Sequence, residues 1–221
     1  MSRPETGRTG ESKREADPMK AIQILPIGLL LALGTACASS KTYPDVREQY
    51  GENPMESPEF QAKMMEYAAP SDPHKQFARQ TGRWNVTGKM FMTPGAPATP
   101  MNASANIQML LDGRYMMEEF KSEFMGMPFE GVLLMGYNNM TEEYSSIWMD
   151  NMGTGWSPAS GVEVSDGVVE MKGTMTDLIS PGGRAFRHVA THHDDGTFSV
   201  VMYDTLPDGE EWKVMEMHYS R

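Results

Sequence analysis

This 221-residue chain has a single cysteine, Cys37, so it cannot form an internal disulfide framework or a zinc site built on cysteines. Basic residues are also scarce, since 19 lysines and arginines stand against 30 aspartates and glutamates, for a formal net charge of -11. Nonspecific binding to nucleic acid or to anionic membranes requires a basic surface. We therefore expect no nucleic-acid partner.

The motifs of common catalytic classes are missing as well. The chain has no Gly-x-Ser-x-Gly, no His-Glu-x-x-His and no glycine-rich phosphate loop followed by Lys-Ser or Lys-Thr. We expect a protein without catalytic residues and without a cofactor. An acid–base pair of strand carboxylates such as Glu119, Glu130 and Asp150 stays open, because convergence across strands leaves no sequence spacing.

A short apolar run with a charged start and a small-residue end lies between Met19 and Cys37. The run from Ile24 to Ala36 has 13 residues, fewer than the roughly 20 that a spanning helix needs, and is typical of a secretory signal. The segment Leu33-Gly34-Thr35-Ala36-Cys37 resembles a bacterial lipobox, which implies lipidation at Cys37. The alternative is an ordinary secreted protein with an incidental cysteine.

These features predict five parts of the chain. Residues 1–18 are a polar extension, either disordered or upstream of a true start at Met19, and residues 19–36 are the signal peptide. Residues 37–58 are a flexible, lipid-anchored linker, residues 59–81 a short helical lead, and residues 82–221 a β-barrel domain. We expect the protein in the cell envelope, on the periplasmic face of the outer membrane of a Gram-negative bacterium, with the lipid as its only membrane contact.

Two helices are predicted in the lead. The first has apolar residues at i, i+4, i+7 and i+8, a one-faced pattern that caps an end of the barrel or packs on its wall: Phe60, Met64, Tyr67 and Ala68. The second begins at Ser71-Asp72-Pro73, because serine or aspartate caps a helix and proline suits its first turn.

After Gly82 the apolar period changes to two, which is typical of half-buried strands. Short turns such as Asp112-Gly113, Met127-Pro128 and Asp166-Gly167 separate about ten strand-like runs, of which the shortest is Val162 to Val164. No long helix remains to cover a sheet edge. The fold class is therefore mainly β, an antiparallel up-and-down barrel of about ten strands preceded by one or two short helices.

Two resemblances refine this fold. Gly82-Arg83-Trp84 at the first strand and Arg221 on the last strand resemble the lipocalin and calycin superfamily, in which an arginine of the last strand stacks on the tryptophan. Gly82, Trp84 and Arg221 would thus close the barrel. A set of segments also looks like a bacterial family of secreted or cytoplasmic proteins known only as a domain of unknown function, over roughly residues 73–221: Leu111-Asp112-Gly113-Arg114-Tyr115, Gly136-Tyr137-Asn138-Asn139 and Met215 to Arg221.

Methionine is the compositional outlier, with 22 residues. Flexible thioethers can fill a barrel interior in place of leucine. A second interpretation is a soft-metal site, for which Met215 and Met217 with the adjacent His218 offer Cu(I) ligands. A third is oxidant scavenging by reversible sulfoxide formation.

Histidine spacing gives little support for zinc. His188 and His192 are four apart, but in a strand this separation is about 13 Å, far beyond two bonds to one ion.

The function that these patterns favour is binding of a small apolar molecule inside a barrel lined by methionine and aromatic residues. An apolar pocket with a polar anchor suits such a ligand, and the candidate residues are Tyr137, Trp148, Asp150 and His218. The alternatives are a copper-handling or oxidant-buffering envelope protein and a non-catalytic adhesive or scaffolding lipoprotein.

Overall fold

A closed barrel of ten antiparallel strands forms the β region in the computed structural model, which describes residues 45–178 and 180–221. Cys37 and the signal segment lie outside the described residues. The strands are Gly82–Met90 (β1), Thr99–Leu110 (β2), Tyr115–Phe124 (β3), Met127–Asn138 (β4), Glu143–Asp150 (β5), Ser157–Ser165 (β6), Val168–Met175 (β7), Arg184–His192 (β8), Phe198–Thr205 (β9) and Glu211–Ser220 (β10). Each pairs with its sequence neighbours and β1 pairs with β10, which confirms the predicted up-and-down barrel.

Alternating residues of each strand point into the barrel and form its core. The inward side chains come from nearly every strand, and the fully buried ones include Val86 and Met171. Glycines leave room for large rings between strands. A side chain at Gly131, for example, would collide with the Trp148 ring on the neighbouring strand β5.

Two local predictions about the strands need correction. The β3–β4 turn is Met125-Gly126, with φ of 52° and 77°, and not Met127-Pro128, which begins β4. Positive φ at both central residues matches the twist of a tight hairpin. Strand β6 also starts earlier than the predicted Val162–Val164 run, because the small residues from Ser157 onward pair with β5 although they show no apolar alternation.

The helical lead differs from the sequence expectation in its packing. The helices are Val46–Tyr50 (α1), Pro58–Ala68 (α2) and Asp72–Arg79 (α3), with a 3-10 turn over Pro54–Glu56. The expected flexible linker over 37–58 thus carries short regular structure in its described part. No residue of α2 is buried, so its apolar stripe caps nothing. Among the described residues, no helix is long and apolar enough to span a membrane.

The shorter helix α3 covers one end of the barrel, which we call the helix end. His74 and Phe77 of α3 are buried, and their rings meet Tyr137 and Tyr144 edge-on at 5.9 Å. The side chain of Asn139, between β4 and β5, donates hydrogen bonds to the Tyr67 and Ala69 carbonyls. The opposite end, which we call the mouth, is formed by the hairpins β1–β2, β3–β4, β5–β6, β7–β8 and β9–β10.

Candidate functional site

At the helix end, the residues of the Gly-x-Trp resemblance connect helix α3 with the first and last strands. Gly82, at φ 118°, lets the chain turn from α3 into β1. The Trp84 indole donates to the Gln80 carbonyl at 2.7 Å, and the Arg221 guanidinium lies 4.4 Å from the indole centroid. Arg221 also donates to the Arg79 and Thr81 carbonyls at 3.0 and 2.9 Å. The guanidinium therefore joins the last strand, the first strand and the end of α3.

A buried carboxyl group forms a hydrogen bond across the interior of the barrel. Glu118 on β3 is only 5% exposed, and its Oε1 accepts a hydrogen bond of 3.0 Å from the Tyr219 hydroxyl on β10. Burial, partly offset by this hydrogen bond, raises the pKa of Glu118 to about 7. The pKa of Tyr219 is also raised, first by burial and then by Glu118. At neutral pH this carboxyl is poised between its neutral and charged forms.

A second polar group in the interior lacks a partner. Tyr144 on β5 is 2% exposed, and its hydroxyl has no hydrogen bond within the described residues. Burial raises the pKa of Tyr144 to about 12, so the group is a neutral hydroxyl. Its ring lies 4.9 Å from that of Tyr137 and 5.9 Å from that of Phe77.

An aromatic cluster lines the same lumen further along β3, β4 and β5. The rings of Phe120, Phe129 and Trp148 lie 6.1 to 6.4 Å apart, with Phe129 and Trp148 stacked. The Trp148 indole nitrogen donates to Asp150 Oδ2 at 2.8 Å, and Asp150 Oδ1 accepts from the Met152 amide. Each oxygen of the predicted anchor Asp150 therefore already accepts one hydrogen bond from a residue two positions away along the chain.

The predicted ligand residues are not all brought together. Tyr137 and Trp148 both contribute to the interior, but Tyr137 is paired with Tyr144 at the helix end, and Tyr144 and Trp148 are four residues, or about 13 Å, apart on β5. His218 is exposed on the outer wall, between Thr87 and Ser199 of the adjacent strands. Met215 and Met217 pack on the core, so His218 cannot share a metal with them across the sheet.

The strand register places a different set of side chains, one histidine and four methionines, next to each other on the inner wall. Directly opposite residues on neighbouring strands point to the same face. In one such row, His188 of β8 stands between Met171 of β7 and Met202 of β9, and Met202 is followed by Met215 of β10 and Met90 of β1. We call these five residues the methionine row. Burial lowers the pKa of His188 to about 4, which makes its imidazole neutral at pH 7.

A charged pair lies nearer the mouth. Asp204 of β9 is buried opposite Phe186, and its Oδ2 is 2.8 Å from Arg184 Nε. The pKa of Asp204 is nevertheless raised, because burial outweighs the arginine's attraction. Asp204 Oδ1 has no hydrogen-bond partner among the described residues.

Solvent reaches part of the interior. Val200, Met202, Met215 and Met217 pack against the core from β9 and β10, yet each remains half-buried rather than buried. Other inward residues are buried, among them Met101 and Ile107 of β2, Phe198 of β9 and Tyr219 of β10. Some inward positions of the closed barrel are thus tightly packed, whereas others, on β9 and β10 and on several further strands, stay partly accessible.

The mouth carries large exposed apolar side chains in four of its five hairpins. They are Met92, Met125, Met127, Met152, Trp156 and Leu178. We call this set the apolar rim. Exposed apolar side chains around an opening can meet an apolar ligand or partner. Leu111 and Met140 are similarly exposed at the helix end.

Two concavities lie on the outer wall instead of the interior. One, of about 510 Å³, is lined by polar and charged side chains including Arg83, Asn106 and Lys121, and the other, of about 480 Å³, includes Lys89, Glu216 and His218. These linings suit polar contacts better than an apolar molecule. Within the described residues, no three His, Cys, Asp or Glu side chains group as a metal site.

Sequence reasoning missed Glu118 and His188 as interior groups. It considered Glu119 as a strand carboxylate, but Glu119 is exposed and accepts a hydrogen bond from Asn106 on the outer wall. The available signal was strand parity, since Glu118 shares its face with the apolar Met116 and Phe120.

Fold and lumen together define a closed, ten-stranded antiparallel up-and-down barrel with a buried carboxyl inside. The chain belongs to the family described as "Protein of unknown function (DUF1579)", whose profile matches residues 69–221. This confirms the family resemblance found in the sequence.

Solved structures extend the likeness of the fold. The chain is similar to the crystal structure of Rv2717c from M. tuberculosis, with a TM-score of 0.51 and 10% identity over 69% of this chain and 99% of that one. A candidate thioesterase II from Thermobifida fusca YX is matched at 10% identity over 63% of this chain and 78% of that one, but its TM-score of 0.17 carries no structural argument. No curated protein sequence matches significantly.

Proposed function

We propose that this protein binds a small, largely apolar molecule within the barrel lumen, reached through the mouth. The observation that supports this most directly is the half-buried state of inward apolar residues on β9 and β10 in a barrel whose strands close completely. A lumen lined by methionine and aromatic side chains adapts to the shape of an apolar ligand. The apolar rim would supply a favourable surface at the entrance.

The polar end of the ligand is recognised by Glu118. Its Oε1 is held by Tyr219, which leaves Oε2 as the oxygen that a ligand can use. A protonated carboxyl donates a hydrogen bond to a carbonyl or hydroxyl oxygen, whereas a carboxylate accepts one from an amine or hydroxyl. We favour Glu118 over Asp150 and His218 as the anchor, because each Asp150 oxygen already accepts a hydrogen bond and His218 is exposed on the outer wall.

Binding of a fluorescent apolar probe tests this proposal. N-phenyl-1-naphthylamine should gain fluorescence on binding the purified protein, and Val200→Trp, which fills the lumen from β9, should abolish the gain. The matched control is Val201→Trp on the outer face of the same strand, beside the outer concavity. Loss of binding in the control with retention in Val200→Trp would assign the probe to the outer wall and refute the proposal.

The natural ligand is sought by native mass spectrometry of protein purified from its own envelope. A co-purifying molecule that is displaced by the naphthylamine probe would identify the ligand class.

We also propose that the protein is a lipoprotein of the cell envelope, on the strength of the lipobox resemblance at Cys37.

A further inference from the structure

The methionine row places an imidazole among thioethers on one wall of the lumen. His188 lies directly opposite Met171 on one side and Met202 on the other. Opposed residues have Cβ atoms about 4.5–5.5 Å apart, which lets the longer methionine side chains reach the ring. Met171 is 0% exposed, and Met202 and Met215 pack against the core, so the thioethers are directed inward.

The imidazole has no hydrogen bond within the described residues. Its nearest aromatic neighbour is Phe186, with ring centroids 6.0 Å apart, and this contact uses neither ring nitrogen. The His188 side chain is half-buried, so its free ring nitrogens are available to an ion that enters the lumen. The two histidines that flank the helix end behave differently, since His74 and His192 both have hydrogen-bond partners.

The ligand types in the methionine row indicate which metal ion it would bind. Thioether and imidazole ligands suit Cu(I), whereas calcium and magnesium require oxygen ligands. The row contains no carboxylate and no cysteine, the ligands that would favour zinc or a hard cation. We propose that His188, Met171 and Met202 form a Cu(I) site on the inner wall, with Met215 as an adjacent thioether. This inference stands apart from the apolar ligand and replaces the set of Met215, Met217 and His218, which the sheet divides between two faces.

Anaerobic titration of the purified full chain with Cu(I), in competition with bathocuproine disulfonate, tests the site. One Cu(I) should bind per chain more tightly than micromolar, with X-ray absorption showing both sulfur and nitrogen neighbours. Loss of a direct ligand should cost at least the roughly 10–100-fold in affinity that follows loss of an outer-sphere partner. His188→Phe and the near-isosteric Met202→Leu should both show this loss.

Three variants serve as matched controls. Met116→Leu alters a second interior row, Met109, Met116 and Met135, that has no histidine. His218→Ala removes the surface histidine, and Met125→Leu an exposed methionine of the rim. All three should keep the tight site.

Two outcomes would overturn the proposal. One is the absence of binding tighter than micromolar. The other is tight binding that survives both His188→Phe and Met202→Leu, or that is lost in Met116→Leu instead. Circular dichroism establishes that each variant is folded, and Met202→Leu provides a second test if His188→Phe does not fold. Naphthylamine binding in the same samples reports on the lumen independently, so failure of one proposal is distinguishable from failure of the other.

Discussion

At the scale of single residues, strand parity decides what a side chain does. Glu118 and Glu119 are chemically identical neighbours, yet one is buried against Tyr219 and the other is exposed beside Asn106. Water stabilises the charge of the outer carboxylate, whereas the interior disfavours the charge of the inner one. The inner carboxyl therefore has a raised pKa and the capacity to switch between donor and acceptor.

This environment predicts a pH-dependent contribution to stability. Because the pKa of Glu118 rises from 4.5 to about 7 on folding, the folded protein holds a proton between these values that the unfolded chain releases. Stability from this group is therefore greatest below pH 4.5 and falls as the pH rises through about 7, by roughly 3 kcal/mol at most. In Glu118→Gln this fall in stability with rising pH is absent, because the amide does not ionise. The amide oxygen still accepts a hydrogen bond from the Tyr219 hydroxyl.

Urea unfolding at several pH values from about 4 to 8 measures the difference in unfolding free energy between Glu118→Gln and the native protein. Carboxyl and histidine side chains titrate in about this range. The variant should gain stability relative to the native protein as the pH rises. Glu119→Gln is the matched control and should show no such trend. An unchanged difference across the series would contradict a raised pKa.

At the scale of elements, the two longer helices of the lead have unequal roles. Helix α3 buries His74 and Phe77 at the helix end, whereas α2 buries nothing and its Phe60 meets only the Tyr50 ring, at 5.0 Å, among the described aromatic residues. Apolar spacing alone predicted α2 as the packed helix. The decisive factor is which segment directly precedes β1, since α3 is held over the barrel by a short connection through Gly82.

Paired truncations of these helices should therefore have unequal effects. Phe77→Ala removes a buried ring and should destabilise the fold by about 3–5 kcal/mol. Phe60→Ala removes a partly exposed ring outside the core and should cost less than about 1 kcal/mol. Denaturant unfolding monitored by tryptophan fluorescence measures both, and equal losses would show that α2 is part of the cooperative unit.

At the scale of the whole molecule, closure depends on contacts between the two ends of the barrel sequence. Strand β1 pairs with β10 over six residue pairs, and Arg221 links both to the carbonyls at the end of α3. Closure satisfies the backbone groups that an open sheet would leave at its edges. Arg221 is thus part of the contacts that close the barrel.

Removal of that arginine should loosen the closure. Arg221→Ala loses the stacking on Trp84 and two hydrogen bonds, and we expect a loss of about 1–2 kcal/mol. Arg83→Ala, on the outer face of β1, is the control and should change stability by less than about 0.5 kcal/mol. Hydrogen exchange should accelerate at the β1–β10 pairs in Arg221→Ala only; protection that stays uniform in both variants would argue against this role.

Anchoring is also a property of the whole molecule. We expect Cys37→Ser, expressed with the signal segment intact, to move the protein from the membrane fraction to the soluble fraction. The physical reason is that the variant cannot receive acyl chains, whose buried methylenes contribute about 0.8 kcal/mol each. Immunoblotting of separated fractions measures the shift, and an unchanged distribution would exclude the lipid anchor.

The strands were predictable because alternation is a local pattern that each strand carries within itself. All ten runs found in the sequence are strands of the barrel, and the errors occur where small residues weaken the pattern, as at Ser157 to Gly161 of β6. The site was less predictable. Aromatic content correctly placed Tyr137 and Trp148 in the interior, but nothing local indicated that Asp150 is already hydrogen-bonded or that His218 points outward.

The sequence by itself determined the fold class, the strand order and the family, because periodicity, turn residues and shared segments are all read along the chain. Only the tertiary structure decided which groups meet. Glu118 and Tyr219 are 101 residues apart and become partners when β1 and β10 pair. His188 joins Met171 and Met202 only through the register of three strands. Contacts across strands depend on register and barrel closure, which no spacing within a single strand records.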